Sequence, residues 1–267
     1  MNGVNSPQSE VEENGEHVVM IVDCSMHSWS KVGELAEQEV PPGRRCNVTL
    51  AIESCYVLES AIRLFHADNR TTIIAATGSP KKLPTVSDLI NEVTNDPVSI
   101  VKALTIGLCI INRDAKERSS STTETRIVLI TATPISAYDF VTCMNCAFAA
   151  QKLGIVIDVF DYSQSTTPEL LQLVHHTNGW YLALSPKDGQ QGVLAHALLS
   201  NFSASASARK YITPPSCPAT DTKTICFCHQ KNLISLGYVC SVCLHVFCER
   251  KNICRACNSR VLLKKKT

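Results

Sequence analysis

The chain has 267 residues, 45% of them hydrophobic and 18% charged, with a formal net charge of +1. That length allows one large domain or a medium domain plus a small module, and the composition is globular rather than disordered or fibrous. The near-zero charge excludes a wholly basic nucleic-acid binder, and no apolar run approaches the ~18 residues of a membrane span.

Residues 1–16, MNGVNSPQSEVEENGE, lack apolar periodicity; they read as a disordered tail and as neither a secretory signal nor a transit peptide. HVVMIVD (17–23) is a continuous apolar run ending in Asp, the pattern of a strand buried on both faces. Residues 24–43, with Pro41, Pro42 and Gly43, read as mostly loop. Helical spacing of Leu50, Cys55, Leu58, Ile62 and Phe65 predicts a helix over 46–67. A second strand, TTIIAAT (71–77), is stopped by Gly78-Ser79-Pro80, and helices follow around 85–93 and 97–113.

After the polar stretch 116–124, a third buried strand covers 125–133, a helix covers 136–154 and a fourth strand covers 155–161. The segment 167–179 has Thr at its start, Pro in its first turn and Gly at its end, the punctuation of a helix. A strand over 180–185 and a helix over 190–202 complete the series. Alternating buried strands and helices predict an α/β domain over 17–202, with a doubly wound, mainly parallel sheet of the Rossmann type. Residues 203–224 are rich in Ser, Ala and Pro and read as a linker, followed by a cysteine-rich module over 225–263 and a basic tail over 264–267.

Charge and cysteine divide the chain in the same place. From residue 222 onward there are nine Lys or Arg and one acid, Glu249, whereas the rest of the chain is acidic. Of 14 cysteines, Cys217, Cys226, Cys228, Cys240, Cys243, Cys248, Cys254 and Cys257 crowd the C-terminal part. Two residues between cysteines let one tight turn aim both thiolates at one ion, so Cys240/Cys243 and Cys254/Cys257 suit a tetrahedral zinc site. Some 40 residues cannot bury a self-sufficient core, so metal binding would supply the folding energy. Disulfides need an oxidising compartment, and a redox CxxC needs a thioredoxin-like turn, which is absent. Cys226, Cys228, Cys248 and His245, with His229 nearby, form the candidate set for a second zinc. Cys217 reads as a free thiol. The basic surface keeps a nucleic-acid reading open, although no two-cysteine, two-histidine spacing and no interleaved aromatic set supports it.

The first strand ends Asp23-Cys24-Ser25-Met26-His27. A von Willebrand factor A (vWA) domain carries D-x-S-x-S there and binds Mg²⁺ through those oxygens. Asp23 and Ser25 are kept, but His27 takes the third place, and Thr131-Ala132-Thr133 stands where the third strand would be followed by Asp. Asp23 and Ser25 therefore read as the remnant of a Mg²⁺ site, and Mg²⁺ is not expected. No GxGxxG, phosphate-binding loop or GxSxG nucleophile occurs. Cys143 and Cys146 fall on an apolar helix stripe with Phe140 and Ala147 and read as core.

The stretches CFCH, LISLGYVCSVCLHVFC, ICRACNSRVLL and MNCAFAAQKLGIVIDV resemble the smaller vWA-plus-zinc-finger subunits of the TFIIH core, the thirty-four-kilodalton subunit family. The resemblance spans about residues 17–263. It implies a vWA-like fold, zinc on Cys240, Cys243, Cys254 and Cys257, no catalysis and a nuclear location. It also implies pairing with a larger vWA-plus-ring subunit in a core that holds the XPB and XPD helicases, serving RNA polymerase II transcription and nucleotide excision repair. The alternatives from the residues are a RING-type ubiquitin ligase, a zinc-finger nucleic-acid binder and a Mg²⁺-dependent adhesion-type domain.

Overall fold

The computed structural model describes residues 15–35, 47–117, 124–163, 167–184, 192–205, 208–215, 224–229, 233–234 and 236–260. Its larger unit has a six-stranded sheet ordered β3-β2-β1-β4-β5-β6. The strands are β1 (Glu16–Asp23), β2 (Arg70–Ala76), β3 (Lys81–Leu83), β4 (Glu124–Thr131), β5 (Val156–Asp161) and β6 (Tyr181–Ala183). All pairings are parallel except β2 with β3. The antiparallel edge strand β3 was not foreseen, because Pro80 and two lysines give its three residues no apolar signature.

The central strands are covered on both faces, which is why they read as unbroken apolar runs. Side chains alternate along a strand. Val19 and Ile21 of β1 and Ile127 and Leu129 of β4 enter one core, against α3 (Ile100–Glu117), α4 (Phe140–Leu153) and α5 (Pro168–Thr177). Val18, Met20 and Val22 with Val128 and Ile130 enter the other, against α1 (Met26–Leu35), α2 (Val48–Phe65) and α6 (Val193–Phe202). Each such aliphatic side chain contributes roughly 1.5–3 kcal/mol on burial. Cys143 and Cys146 lie buried in the first core, where burial pushes both thiols above the ordinary range.

Three boundary expectations change. The stretch 24–43 is not mostly loop where described: α1 starts directly after β1. Ser25 caps it by accepting a hydrogen bond from the Ser28 N–H (3.2 Å), and Trp29 anchors it, fully buried, with Nε1 donating to the Asp23 carbonyl (2.9 Å). Pro41, Pro42 and Gly43 lie outside the described residues, as do 1–14, Cys217 and the tail 264–267. Glu16 is not tail but the first residue of β1. It is buried because Arg126, 1% exposed, reaches it with Nε 2.7 Å from Oε1 and donates from Nη2 to Oε2 (3.1 Å). Arg126 also donates to the Phe202 carbonyl (2.8 Å).

The linker, finally, begins later than residue 203. Residues Ala208–Tyr211 form a short 3₁₀ turn, from which Arg209 donates to both carboxylate oxygens of buried Asp158 (2.7 and 2.6 Å) and lies over the Trp180 ring. A bidentate, charge-assisted pair with a stacked guanidinium ties this segment to the sheet.

Candidate metal centre

The cysteine module is built from two short antiparallel pairs: β7 (Thr224–Ile225) with β8 (Leu233–Ile234), and β9 (Tyr238–Val239) with β10 (Val246–Phe247). Among its described residues the buried side chains are Cys226, Cys240, Cys254 and Phe247. Sulfur, not hydrocarbon, occupies most of its centre.

The two CxxC turns have the same backbone. The Leu244 N–H donates to the Cys240 carbonyl (2.9 Å), and the Asn258 N–H donates to the Cys254 carbonyl (2.8 Å). The Cys240 N–H donates to the His245 carbonyl and the Cys254 N–H to the Ser259 carbonyl, both at 2.9 Å. The residue after each second cysteine turns left-handed, Leu244 at φ 61° and Asn258 at φ 56°. That conformation is unfavourable for leucine, but it sends the Leu244 side chain against the core beneath α3–α5.

These matched turns bring the four sulfurs of Cys240, Cys243, Cys254 and Cys257 within 4.8 Å of one another. Cys240 Sγ lies 3.7 Å from Cys257 Sγ, and Cys243 Sγ lies 3.5 Å from Cys254 Sγ. A tetrahedral shell with metal–sulfur bonds near 2.3 Å has sulfur–sulfur edges of about 3.8 Å. The group can hold a metal ion without rearrangement. The Ser259 hydroxyl contacts Cys240 Sγ (3.5 Å) and Cys257 Sγ (3.0 Å). With the N–H groups of Cys243 and Val242, it lowers the Cys240 thiol to about 6, whereas burial and neighbouring sulfurs raise Cys243 to about 12. Protons are thus shared unequally among close sulfurs, and a bound cation would displace them. Ser259 was not anticipated; its place after the second CxxC was the available signal.

The second candidate set assembles differently. Cys226, His229 and Cys248 come within 4.8 Å of one another. His245 does not join them: its Nδ1 lies 3.3 Å from the Cys243 carbonyl, and its ring stands edge-on to Phe227. Cys228 also falls outside the group and accepts a hydrogen bond from Lys251 Nζ (3.3 Å).

Asp23 sits at the carboxyl end of β1, fully buried, and its oxygens are occupied by the chain itself. Oδ1 accepts the Ser25 N–H (2.9 Å); Oδ2 accepts the N–H groups of Ala132 (3.1 Å) and Thr133 (2.9 Å) and the Thr131 hydroxyl (3.2 Å). Burial raises the Asp23 carboxyl above its ordinary range, opposed by the hydrogen bonds from Thr133, Ser25 and Ala132. The Ser28 hydroxyl accepts from Ser25 (3.0 Å) and Thr133 (2.7 Å), while His27 points outward, exposed. Thr94 closes the same end, pairing its backbone with Cys24 and Met26.

Comparison with known proteins gives this arrangement a family. The family model described as transcription factor Tfb4 matches residues 80–258, from β3 through the second CxxC turn. The chain belongs to the Tfb4 family. Among Tfb4-like relatives, general transcription factor IIH subunit 3 of Dictyostelium discoideum is 34% identical over 178 residues, covering 65% of this chain and 46% of the relative. The general transcription and DNA repair factor IIH subunit tfb4 of Schizosaccharomyces pombe is 28% identical, over 91% of this chain and 88% of the relative. The alignment therefore spans under half of one relative and most of the other.

Two solved structures share the fold. The TFIIH p34 N-terminal domain superposes with a TM-score of 0.52 at 21% identity, over 68% of this chain and 97% of that domain. The SpRpn10 VWA domain gives 0.55 at 12% identity, over 71% and 96%. The larger unit of this Tfb4-family chain is a vWA-like α/β domain, followed by a cysteine cluster able to hold a metal ion.

Proposed function

We propose that the chain is a non-catalytic structural subunit of general transcription and DNA repair factor IIH, acting in the nucleus in transcription initiation and nucleotide excision repair. The observation that carries this reading is the family match over 80–258, because it runs unbroken from β3 of the sheet domain into the cysteine module. The role follows from the role its relatives are named for and from the chemistry of the two ends of the molecule.

At the sheet end where open α/β domains take ligands, the buried Asp23 carboxylate is satisfied by three N–H groups and a hydroxyl of the chain itself. A cation there would have to displace those donors, so we assign no Mg²⁺. At the other end, four thiolates with tetrahedral spacing suit zinc, a soft-ligand ion without redox chemistry. Zinc held by Cys240, Cys243, Cys254 and Cys257 would supply folding energy and no reaction step. The partners this reading carries are the larger vWA-plus-ring subunit and, through the same core, the XPB and XPD helicases. A ubiquitin ligase is disfavoured because the third ligand pair of a ring is incomplete: Cys248 is followed, at the CxxC spacing, by Lys251.

Immunodepletion of the chain from a nuclear extract tests the role. Loss of both promoter opening and excision of a damaged template, restored by adding back the purified complex, is the expected result. An extract that keeps both activities after complete depletion would overturn it.

A further inference from the structure

We propose that Cys226, His229 and Cys248 hold a second zinc ion, interleaved with the four-thiolate centre. Their ligand atoms lie within 4.8 Å of one another. Cys248 Sγ is 3.5 Å from His229 Nδ1. Metal–sulfur bonds near 2.3 Å and metal–nitrogen bonds near 2.0–2.1 Å give a tetrahedral sulfur–nitrogen edge of about 3.6 Å.

The local chain is shaped as a ligand turn. Cys226 and His229 are separated by two residues, the spacing of a CxxC pair, and the His229 N–H donates to the Cys226 carbonyl (3.2 Å). Cys226 Sγ is fully buried and accepts the N–H groups of Cys228 (3.4 Å) and Cys248 (3.2 Å). Backbone donors of this kind orient a thiolate and disperse its charge. Two thiolates and a neutral imidazole balance Zn²⁺, so the buried sulfur carries no uncompensated charge. His229 and Cys248 are more exposed than Cys226, which leaves the fourth tetrahedral position open to water.

The order of ligands along the chain adds a reason. Cys226/His229 and Cys248 alternate with Cys240/Cys243 and Cys254/Cys257, so the two ions would cross-brace the module. The buried residues of the module, among those described, are three cysteines and Phe247, so hydrocarbon alone supplies it little core. A metal replaces the missing core in such small units.

The full chain, purified without chelator, should contain about two zinc ions by elemental analysis, and a Cys226→Ser/Cys248→Ser variant about one. One zinc in the wild-type chain, or two in the variant, overturns the proposal. Should the variant lose all metal by unfolding, His229→Cys decides with Co²⁺ as probe. Two ions bound with stronger sulfur-to-cobalt charge-transfer absorption than wild type supports His229 as a ligand; two ions with an unchanged spectrum overturns it.

Discussion

Replacing Asp23 by Asn tests whether the buried acid is a structural anchor or a metal ligand. The carboxylate accepts three N–H groups and one hydroxyl. An amide has one acceptor oxygen, so in either orientation its NH₂ faces at least one backbone N–H. One buried donor left without a partner costs about 1–3 kcal/mol, and the remaining bonds lose the strength a charged acceptor gives. A total of about 2–5 kcal/mol follows, and at ~2–4 °C per kcal/mol the α/β domain should melt ~4–20 °C lower. Thermal unfolding followed by circular dichroism, with and without millimolar Mg²⁺, measures this. The wild type should melt at the same temperature with and without Mg²⁺. At a working cation site the opposite pattern holds: Mg²⁺ stabilises the wild type by mass action, and Asn is harmless without it. A Mg²⁺-dependent wild-type melt with a metal-free variant as stable as wild type would refute the anchor reasoning.

Three further perturbations address the core and the module. Cys240→Ser/Cys243→Ser should abolish metal at the four-thiolate centre and expose the module to protease while the α/β domain keeps its melt; undiminished zinc content and protease resistance would count against it. Arg126→Met leaves Glu16 buried without its partner, a loss of about 3–5 kcal/mol in chemical denaturation. Burial already raises the Glu16 carboxyl, opposed by Arg126. Protonation removes the buried charge, so the Arg126→Met deficit should shrink as pH falls from about 7 toward 5; a deficit that grows would contradict the pairing. Gly179→Ala would drive a methyl into the Ile157 carbonyl oxygen, so it should cost more than ~3 kcal/mol or prevent soluble expression, and a near-neutral variant would refute that close approach.

The sheet was legible because its strands are buried on both faces: runs such as HVVMIVD can be read without knowing their neighbours. Helix α1 was hidden by proximity to Pro41 and Pro42. Its evidence lay in Ser25 three residues before Ser28 and in Trp29, whose burial only the fold reveals. Glu16, Arg126, Asp158 and Arg209 are charges within or beside apolar segments, and their pairing joins positions 32 to 110 residues apart, beyond any periodicity. The CxxC pairs were plain from local spacing. His229 was passed over for His245 because Cys226 was paired with its near neighbour Cys228; counting two residues onward to His229 gives the turn that the structure forms.

The central claim, that the chain works as a structural subunit of factor IIH, is tested most directly by purifying the tagged chain from a nuclear extract. At ~0.5 M salt the Debye length is only a few ångströms, so partners held by surface charge alone are lost. Mass spectrometry should then recover the two helicases and a second vWA subunit in near-equal amounts with the chain. Recovery of ubiquitin-conjugating enzymes instead, or of no stable partner, would contradict the claim.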